Sequence, residues 1–310
     1  MITSKRILRG AAAAAACASL LTGCMAPSPP AARTPAPAQS STASASLVHD
    51  LPSAAGRRYQ VWIDLPASYA TSDTPLPVVF VTDASWAFPI VQGVRDLVGR
   101  RGRNIEDFIL VGLTHEVGVS SGVSRARDYT PTDPRRTPGY DAGDYDFPTY
   151  GEAEAYREYI ETRVFPLIAK LPRADMGRRT YVGHSYGGLF GAHLLLTKPE
   201  LFGNYILGSP SLWFDQHAIF RREREWAGPT VAAPQLFMLT GGLERVGPHA
   251  PGKTHDLVAD MLRFEQALAA RGVAVSSRIA EGEDHLTVYP DVVTRGLLRL
   301  LPGREPYDPR

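Results

Sequence analysis

The run from Arg179 to Leu196, Arg-Thr-Tyr-Val-Gly-His-Ser-Tyr-Gly-Gly-Leu-Phe-Gly-Ala-His-Leu-Leu-Leu, leaves its neighbourhood few ways to fold. Thr180, Tyr181 and Val182 are β-branched or aromatic and read as the end of a strand. Leu189 to Leu196 is an apolar helical segment. Only Gly183-x-Ser185-x-Gly187 separates the two. A chain that passes from strand to helix in so few residues must turn sharply, and the two glycines permit that turn. A serine at the apex would hold its Oγ clear at the end of a sheet, and the N–H of the next residue, Tyr186, would point to where an oxyanion forms. The context carries this expectation more than the pattern does. Gly118-Val-Ser120-Ser-Gly122 has the same spacing, but the polar stretch Ser124 to Pro138 follows it without a helical pattern, so it reads as a flexible loop.

Strand-like runs recur at Tyr59–Leu65, Val78–Val81, Phe108–Leu113, Thr180–Val182, Tyr205–Leu207, Leu236–Leu239 and Val273–Ile279. Between them, Glu152 to Leu171 carries Tyr156, Ile160, Val164, Leu167 and Leu171 at helical spacing, with Pro166 as a kink. Leu257, Met261, Phe264 and Leu268 mark a later helix. Several strands are continuous Val/Ile/Leu runs, which argues for a mostly parallel, doubly wound sheet with helices on both faces. The first strand alternates (Tyr59, Val61, Ile63, Leu65) and is expected to be an antiparallel edge. Ligands in such a fold bind at the carboxyl ends of the strands. Roughly 255 residues, Val48 to Pro302, suit one such domain, with 303–310 as a C-terminal tail.

The N-terminus reads as a targeting segment. Lys5, Arg6 and Arg9 precede a short apolar run, Ala11 to Leu21, too brief to span a bilayer as a stable helix. Leu21-Thr22-Gly23-Cys24 resembles a bacterial lipobox, which implies a signal peptide over 1–23 and acylation of Cys24. Residues 24–47 are rich in Pro, Ala and Ser and have too little apolar bulk to offset ordering, so they read as a disordered tether. Extended, it would reach about 75 Å, and as a coil about 25 Å. The expectation is a lipid-anchored protein of the bacterial cell envelope with its domain in the periplasm.

The two cysteines are Cys17, in the leader, and Cys24. None remains for a disulfide, a thiol nucleophile or a cysteine-bound metal in the domain. Neither a cofactor nor a metal is expected. The formal net charge is +1, and loss of the three leader cations would bring it to −2. Such a balance recruits neither nucleic acid nor acidic lipid.

An activated serine needs a base, and the base an orienting carboxylate. His285, in Glu281-Gly-Glu-Asp-His285 just after the last strand, is the candidate base. Glu244, just past the strand ending at Thr240, is the candidate acid, with Asp256, Asp284 or no acid as alternatives. The second oxyanion donor is assigned to the loop after Val81, at Ala84 or Ser85 N–H. His184 and His193 read as structural and His217 as a surface residue, while His249 and His255 either line a cleft or are solvated. Arg125, Arg127, Arg135 and Arg136 form either a solvated basic loop or a patch that draws an anionic ligand.

Four motifs in order complete the picture: Arg127-Asp-Tyr-Thr-Pro131, Gly183-His-Ser-Tyr-Gly-Gly-Leu-Phe190, Gly208-Ser-Pro-Ser-Leu-Trp213 and Glu281-Gly-Glu-Asp-His285. Together they resemble the esterase family of α/β-hydrolases that includes esterase D and enterobactin-type siderophore esterases, across residues 56 to 300. The resemblance implies an α/β-hydrolase fold and a serine esterase acting on a small-molecule ester. Its substrate would be an anionic ferric siderophore of the catecholate trilactone type. Ser185 would be the nucleophile, His285 the base and Arg127 the cleft cation. Trp213 and Trp86 would contact substrate, although Trp213 also reads as a core side chain. Relatives often carry Asp-Gly where this chain has Asp83-Ala84, so the second donor is less well defined. A non-catalytic binding lipoprotein and an acyltransferase using the same residues are the alternative readings.

Overall fold

The structure is a computed structural model that describes residues 47–140, 146–229, 233–247 and 254–307. The proposed leader, Cys24 and nearly all of the tether lie outside the described residues, as does His249.

The described strands are β1 (Leu47–Asp50), β2 (Gln60–Asp64), β3 (Leu76–Val81), β4 (Ile109–Leu113), β5 (Ala174–His184), β6 (Asn204–Gly208), β7 (Gln235–Gly241) and β8 (Ala274–Ala280). They form one sheet in the order β1-β2-β4-β3-β5-β6-β7-β8. The pairs β1/β2 and β2/β4 are antiparallel, and the remaining neighbours are parallel.

Alternation along the parallel strands divides their side chains between two cores. Val79, Val81, Leu110, Val182, Ile206 and Leu239 face one side, where α1 (Ala84–Leu97) supplies Ala84, Phe88 and Val91. On the same side α8 (Tyr289–Leu300) supplies Val292, Val293 and Leu297. Phe80, Val111, Tyr181, Leu207 and Met238 face the other side, against Leu189, Phe190 and Leu194 of α5 (Tyr186–Thr197). There α6 (Phe214–Glu225) adds Phe214, Ile219 and Phe220, and α7 (Leu257–Ala269) adds Met261, Phe264 and Leu268. Burial of each such side chain is worth roughly 1.5–3 kcal/mol, which is why central strands read as unbroken apolar runs. The contact of α8 with β6 is close: a Cβ on Gly296 would come 2.4 Å from Ile206 Cγ2.

Three expectations change. The alternating first strand is antiparallel but lies inside the sheet, because β1 pairs along its outer side. Leu47 and Val48 of β1 remain exposed, so no buried face betrays that strand. The segment read as a loop after Ser120 is a helix, α2 (Ser121–Tyr129), N-capped by Ser120 Oγ accepting from Val123 N at 3.4 Å. Its composition hides it, since the buried side of α2 carries the polar Ser124, Arg127 and Asp128. The long helix expected from Glu152 is divided into α3 (Ala153–Tyr159), a π-helical turn (Ile160–Val164) and α4 (Phe165–Ile168). Pro166, which has no N–H to donate, falls directly after the π turn.

Candidate active site

The end of β5 and the start of α5 meet at Ser185, whose φ of 59° and ψ of −118° lie outside the regions a non-glycine residue normally occupies. Both flanking glycines are required by contact. A Cβ on Gly183 would stand 2.3 Å from Gly187 O, and one on Gly187 would stand 2.6 Å from Thr82 Oγ1. The turn is pinned by Ser185 N–H donating to Gly208 O at 2.9 Å and by Tyr181 O–H donating to Gly187 O at 2.7 Å. Ser185 Oγ lies 3.4 Å from Ser211 Oγ.

Glu244 sits in a single 3₁₀ turn (Gly242–Glu244) directly after β7, 1% exposed. Its Oε2 lies 3.0 Å from His285 Nδ1. Its Oε1 accepts from Ser209 Oγ at 2.6 Å and from Gly241 N–H at 3.2 Å. Burial pushes this carboxyl up, but the bonds from His285 and Ser209 outweigh burial and hold it below the ordinary glutamate value. The two alternative acids have other work. Asp256 caps α7 through Ala259 N–H at 2.8 Å, and Asp284 accepts from the N–H groups of Leu286 and Thr287.

His285 is tied to the turn before Ser185. Its backbone carbonyl accepts from His184 Nε2 at 2.7 Å, and the two rings are centred 4.7 Å apart. His184 is 4% exposed, and burial, with the nearby His285, pushes it down to about 4. It is therefore a neutral imidazole that packs the base against the nucleophile's strand.

β3 ends at Asp83, a left-handed residue (φ 58°, ψ 42°) from which α1 starts. The Ala84 and Ser85 N–H groups, at the first turn of α1, donate to no partner among the described residues. Asp83 is 1% exposed, with Oδ1 2.7 Å from His115 Nε2 and 2.8 Å from Arg125 Nε. Burial opposes ionisation of Asp83, yet Arg125 and His115 hold it below the ordinary aspartate value.

Arg127 is not the cleft cation. Its guanidinium is 6% exposed and donates to Asp128, to Glu116 Oε2 at 2.6 Å and to the Tyr59 hydroxyl at 2.9 Å. It anchors α2 against β2. Arg125 is the guanidinium beside the turn, 5.6 Å above the Tyr186 ring, with both Nη groups unbonded among the described residues. Arg135 is engaged with Asp133 and Pro148 O, so the four arginines make no single patch.

Trp213 stacks on His255 at 4.0 Å and lies 6.5 Å from the Tyr186 ring. Both line a cavity of about 380 Å³ with Thr137, Tyr140, Asp215 and His217. Ser185 and His285 are not in its lining; Trp213 relates it to Tyr186, the residue after the nucleophile. Trp86 is 37% exposed and packs edge-on against Tyr289 and His184. His217 bonds Asp260 at 3.0 Å, and His193 is buried on α5.

Asp83, His115, Ser185, Ser209, Glu244 and His285 thus stand at or just beyond the carboxyl ends of β3 to β8, where this class of sheet presents its chemistry. The roles of His115, Ser209 and Ser211 escaped sequence reasoning. Arg125 was visible, but telling it from Arg127 required knowing that α2 is a helix. Among the described residues no group of three His, Cys, Asp or Glu is placed to hold a metal ion, and no helix is long and apolar enough to cross a membrane.

A family model described as "Putative esterase" matches residues 53–289. The ferri-bacillibactin esterase of Bacillus subtilis is 29% identical over 247 residues, covering 78% of this chain and 84% of that protein. The siderophore triacetylfusarinine C esterase of Aspergillus fumigatus is 25% identical over 265 residues, covering 78% and 88%. Among solved structures, the BES protein of Bacillus cereus superimposes with a TM-score of 0.68 at 25% identity, covering 83% of this chain and 96% of that one.

Proposed function

The chain belongs to the "Putative esterase" family, an α/β-hydrolase that cleaves carboxylic esters, and from that premise we propose that it hydrolyses the ester bonds of a siderophore. Ser185 is the nucleophile, His285 the base and Glu244 the carboxylate that orients it. The observation that carries this reading is the presence, at the carboxyl ends of the strands, of a serine in strained geometry and an imidazole bonded through Nδ1 to a buried carboxylate.

The chemistry follows from those positions. Nδ1–H donates to Glu244 Oε2, which leaves Nε2 as the basic nitrogen. As Ser185 Oγ bonds to the ester carbon, its proton passes to His285 Nε2. The developing oxyanion is met by Tyr186 N–H and by the N–H groups of Ala84 or Ser85 at the start of α1. Collapse breaks the ester C–O bond, and His285 returns the proton to the departing alcohol. Water then gives a proton to His285 and its hydroxide to the acyl carbon, and Ser185 leaves reprotonated.

The substrate class is supported by the names of the two esterases from Bacillus subtilis and Aspergillus fumigatus, a ferri-bacillibactin esterase and a siderophore triacetylfusarinine C esterase. Arg125, with its open Nη pair beside Tyr186, replaces Arg127 as the cation for an anionic ferric siderophore. Incubating the purified chain with ferric and metal-free trilactone siderophores, and identifying products by mass, tests this. Linear acids from water attack are expected, with none from Ser185→Ala. Intact siderophore in every reaction would remove the reading, and transfer to an added alcohol alone would make it an acyltransferase.

Anchoring through Cys24 in the cell envelope, with the domain in the periplasm, belongs to the same proposal and is supported by the Leu21-Thr-Gly-Cys24 run. Cells fed a clickable palmitate are expected to label the wild-type chain and not Cys24→Ala; equal labelling would exclude that site.

A further inference from the structure

β6 ends at Gly208, and within the next three residues the backbone reaches two members of the proposed triad. Ser209 Oγ donates to Glu244 Oε1 at 2.6 Å, and Ser211 Oγ lies 3.4 Å from Ser185 Oγ. Ser209 is 0% and Ser211 2% exposed, so neither hydroxyl has bulk water as an alternative partner. The segment between them is held rigidly. Ser209 N–H donates to Leu239 O, Ser211 N–H donates to Ser185 O at 3.1 Å, and Pro210 packs against Gly188, where a Cβ would stand 2.9 Å from Pro210 Cα. Ser209 itself has a φ of 38°, a conformation that persists in a non-glycine residue only when its surroundings enforce it.

We infer that Ser209-Pro210-Ser211 is a positioning brace that clamps both ends of the catalytic set, Ser209 through Glu244 and Ser211 through Ser185. The two hydroxyls have different tasks. With Ser209 O–H and Gly241 N–H both on Oε1, Glu244 has one oxygen left to face Nδ1 of His285. Ser209 therefore sets the rotation of the carboxylate and, through it, the tautomer of the imidazole. Either hydroxyl of the 3.4 Å Ser211–Ser185 contact can donate, and the brace assigns that part to Ser211, which leaves the proton of Ser185 for His285 Nε2. Neither serine is assigned a contact with the ester. Because one tripeptide carries both hydroxyls, their spacing is limited by the backbone, and acid and nucleophile are each held to it through one hydrogen bond.

This inference rests on Ser185, His285 and Glu244 acting as proposed, and the experiment separates the two. Full-length Ser209→Ala, Ser209→Gly, Ser211→Ala and Ser211→Thr are compared with wild type in kcat, KM, melting temperature and the rate of fluorophosphonate labelling against pH. Ser209→Ala and Ser209→Gly are both expected to lower kcat by about 10- to 100-fold, with KM changed by less than about 3-fold, and to move the acid limb of the labelling profile. Glycine relieves the φ of 38°, so recovery in Ser209→Gly alone would show that strain and not the hydroxyl matters, and would overturn the brace. Ser211→Ala is expected to slow labelling by about 10-fold at every pH without moving the limb, and Ser211→Thr to recover most of the rate. A threonine no faster than alanine, or losses confined to KM or tracking a lower melting temperature, would also overturn it. The Ser209→Ala, Ser211→Ala double variant is expected to lose less than the product of the single losses, since both act through one unit. If the wild-type label is found on a residue other than Ser185, the triad reading itself fails. If Ser185 is labelled and all four variants behave as wild type, the brace alone fails.

Discussion

Glu244 presents a single oxygen to His285: Oε2 stands 3.0 Å from Nδ1, while Oε1 is filled by Ser209 and Gly241. The consequence is a fixed tautomer. In Glu244→Gln the amide can turn its NH₂ toward Nδ1, which would reverse the ring's donor and acceptor nitrogens. The expected loss in kcat is on the order of 10²- to 10⁴-fold with KM little altered. Steady-state kinetics on an activated ester checks it; a loss below about 5-fold would mean the imidazole keeps its orientation without this carboxylate.

Ser185 carries backbone strain that its chemistry requires and its stability does not. Replacing it by glycine, which occupies positive φ without steric cost, is expected to raise the melting temperature by a few degrees over Ser185→Ala, for a gain of about 1 kcal/mol. Both variants should be inactive. Thermal unfolding of the pair checks it, and equal melting temperatures would show that the turn is not strained at this residue.

Arg127 and Arg125 differ in the kind of loss their removal causes. Arg127→Ala leaves the buried Asp128 and the half-buried Glu116 without this counter-charge, so it is expected to cost about 3–5 kcal/mol of stability, with kcat/KM per folded molecule unchanged. Arg125→Lys keeps a charge near Asp83 but loses the open fork beside Tyr186. Its expected effect is a raised KM for anionic esters at an unchanged salt dependence, because the charge is kept and only the fork is lost, with neutral esters unaffected. Kinetics on a matched pair of charged and neutral esters, at two ionic strengths, checks both variants. A KM effect from Arg127→Ala in folded protein would return the cleft role to that residue.

These two arginines also show where the sequence was legible and where it was not. The glycine turn, the parallel sheet and the position of His285 and Glu244 just past their strands follow from apolar periodicity and from where strands end, and both signals are strong in this chain. α2 is different. Its buried side holds Ser124, Arg127 and Asp128, whose burial is balanced by mutual bonds and not by apolar area, so hydropathy reports a loop. Once the segment is known to be helical, residues 125 and 127 must point about 200° apart, and they cannot share a cleft. β1 was hidden for the opposite reason, since it pairs through its backbone and exposes its apolar side chains. Ser209 and Ser211 stood inside the motif Gly208-Ser-Pro-Ser-Leu-Trp213 but without a role, because a hydroxyl's partner is decided by strand order.

Acid should destabilise the fold in two stages, and the first belongs to histidines. His184 and His193 are buried, each pushed down to about 4, chiefly by burial and further by the nearby His285 and Arg222 respectively. Unfolded, each returns to about 6.5. Between those values the unfolded chain binds more protons than the folded one, so stability rises with pH and is lost as pH falls from about 6.5 to about 4. Each histidine contributes up to about 3 kcal/mol across that window. Asp83 and Glu244 are shifted below their ordinary values, so the stability they contribute is present above about pH 4 and is lost only below it, as pH falls through their folded values. Urea unfolding at pH 7, 6, 5 and 4.5 measures the first stage without the second. His193 lies on α5 away from the nucleophile's turn, with Nε2 3.4 Å from Glu154 Oε2, a pairing that burial outweighs, so His193→Gln tests it without touching the proposed triad. The variant is expected to lose roughly half as much stability between pH 7 and 4.5 as the wild type does. A pH slope in His193→Gln equal to that of the wild type would mean that this imidazole titrates alike in the folded and unfolded chain.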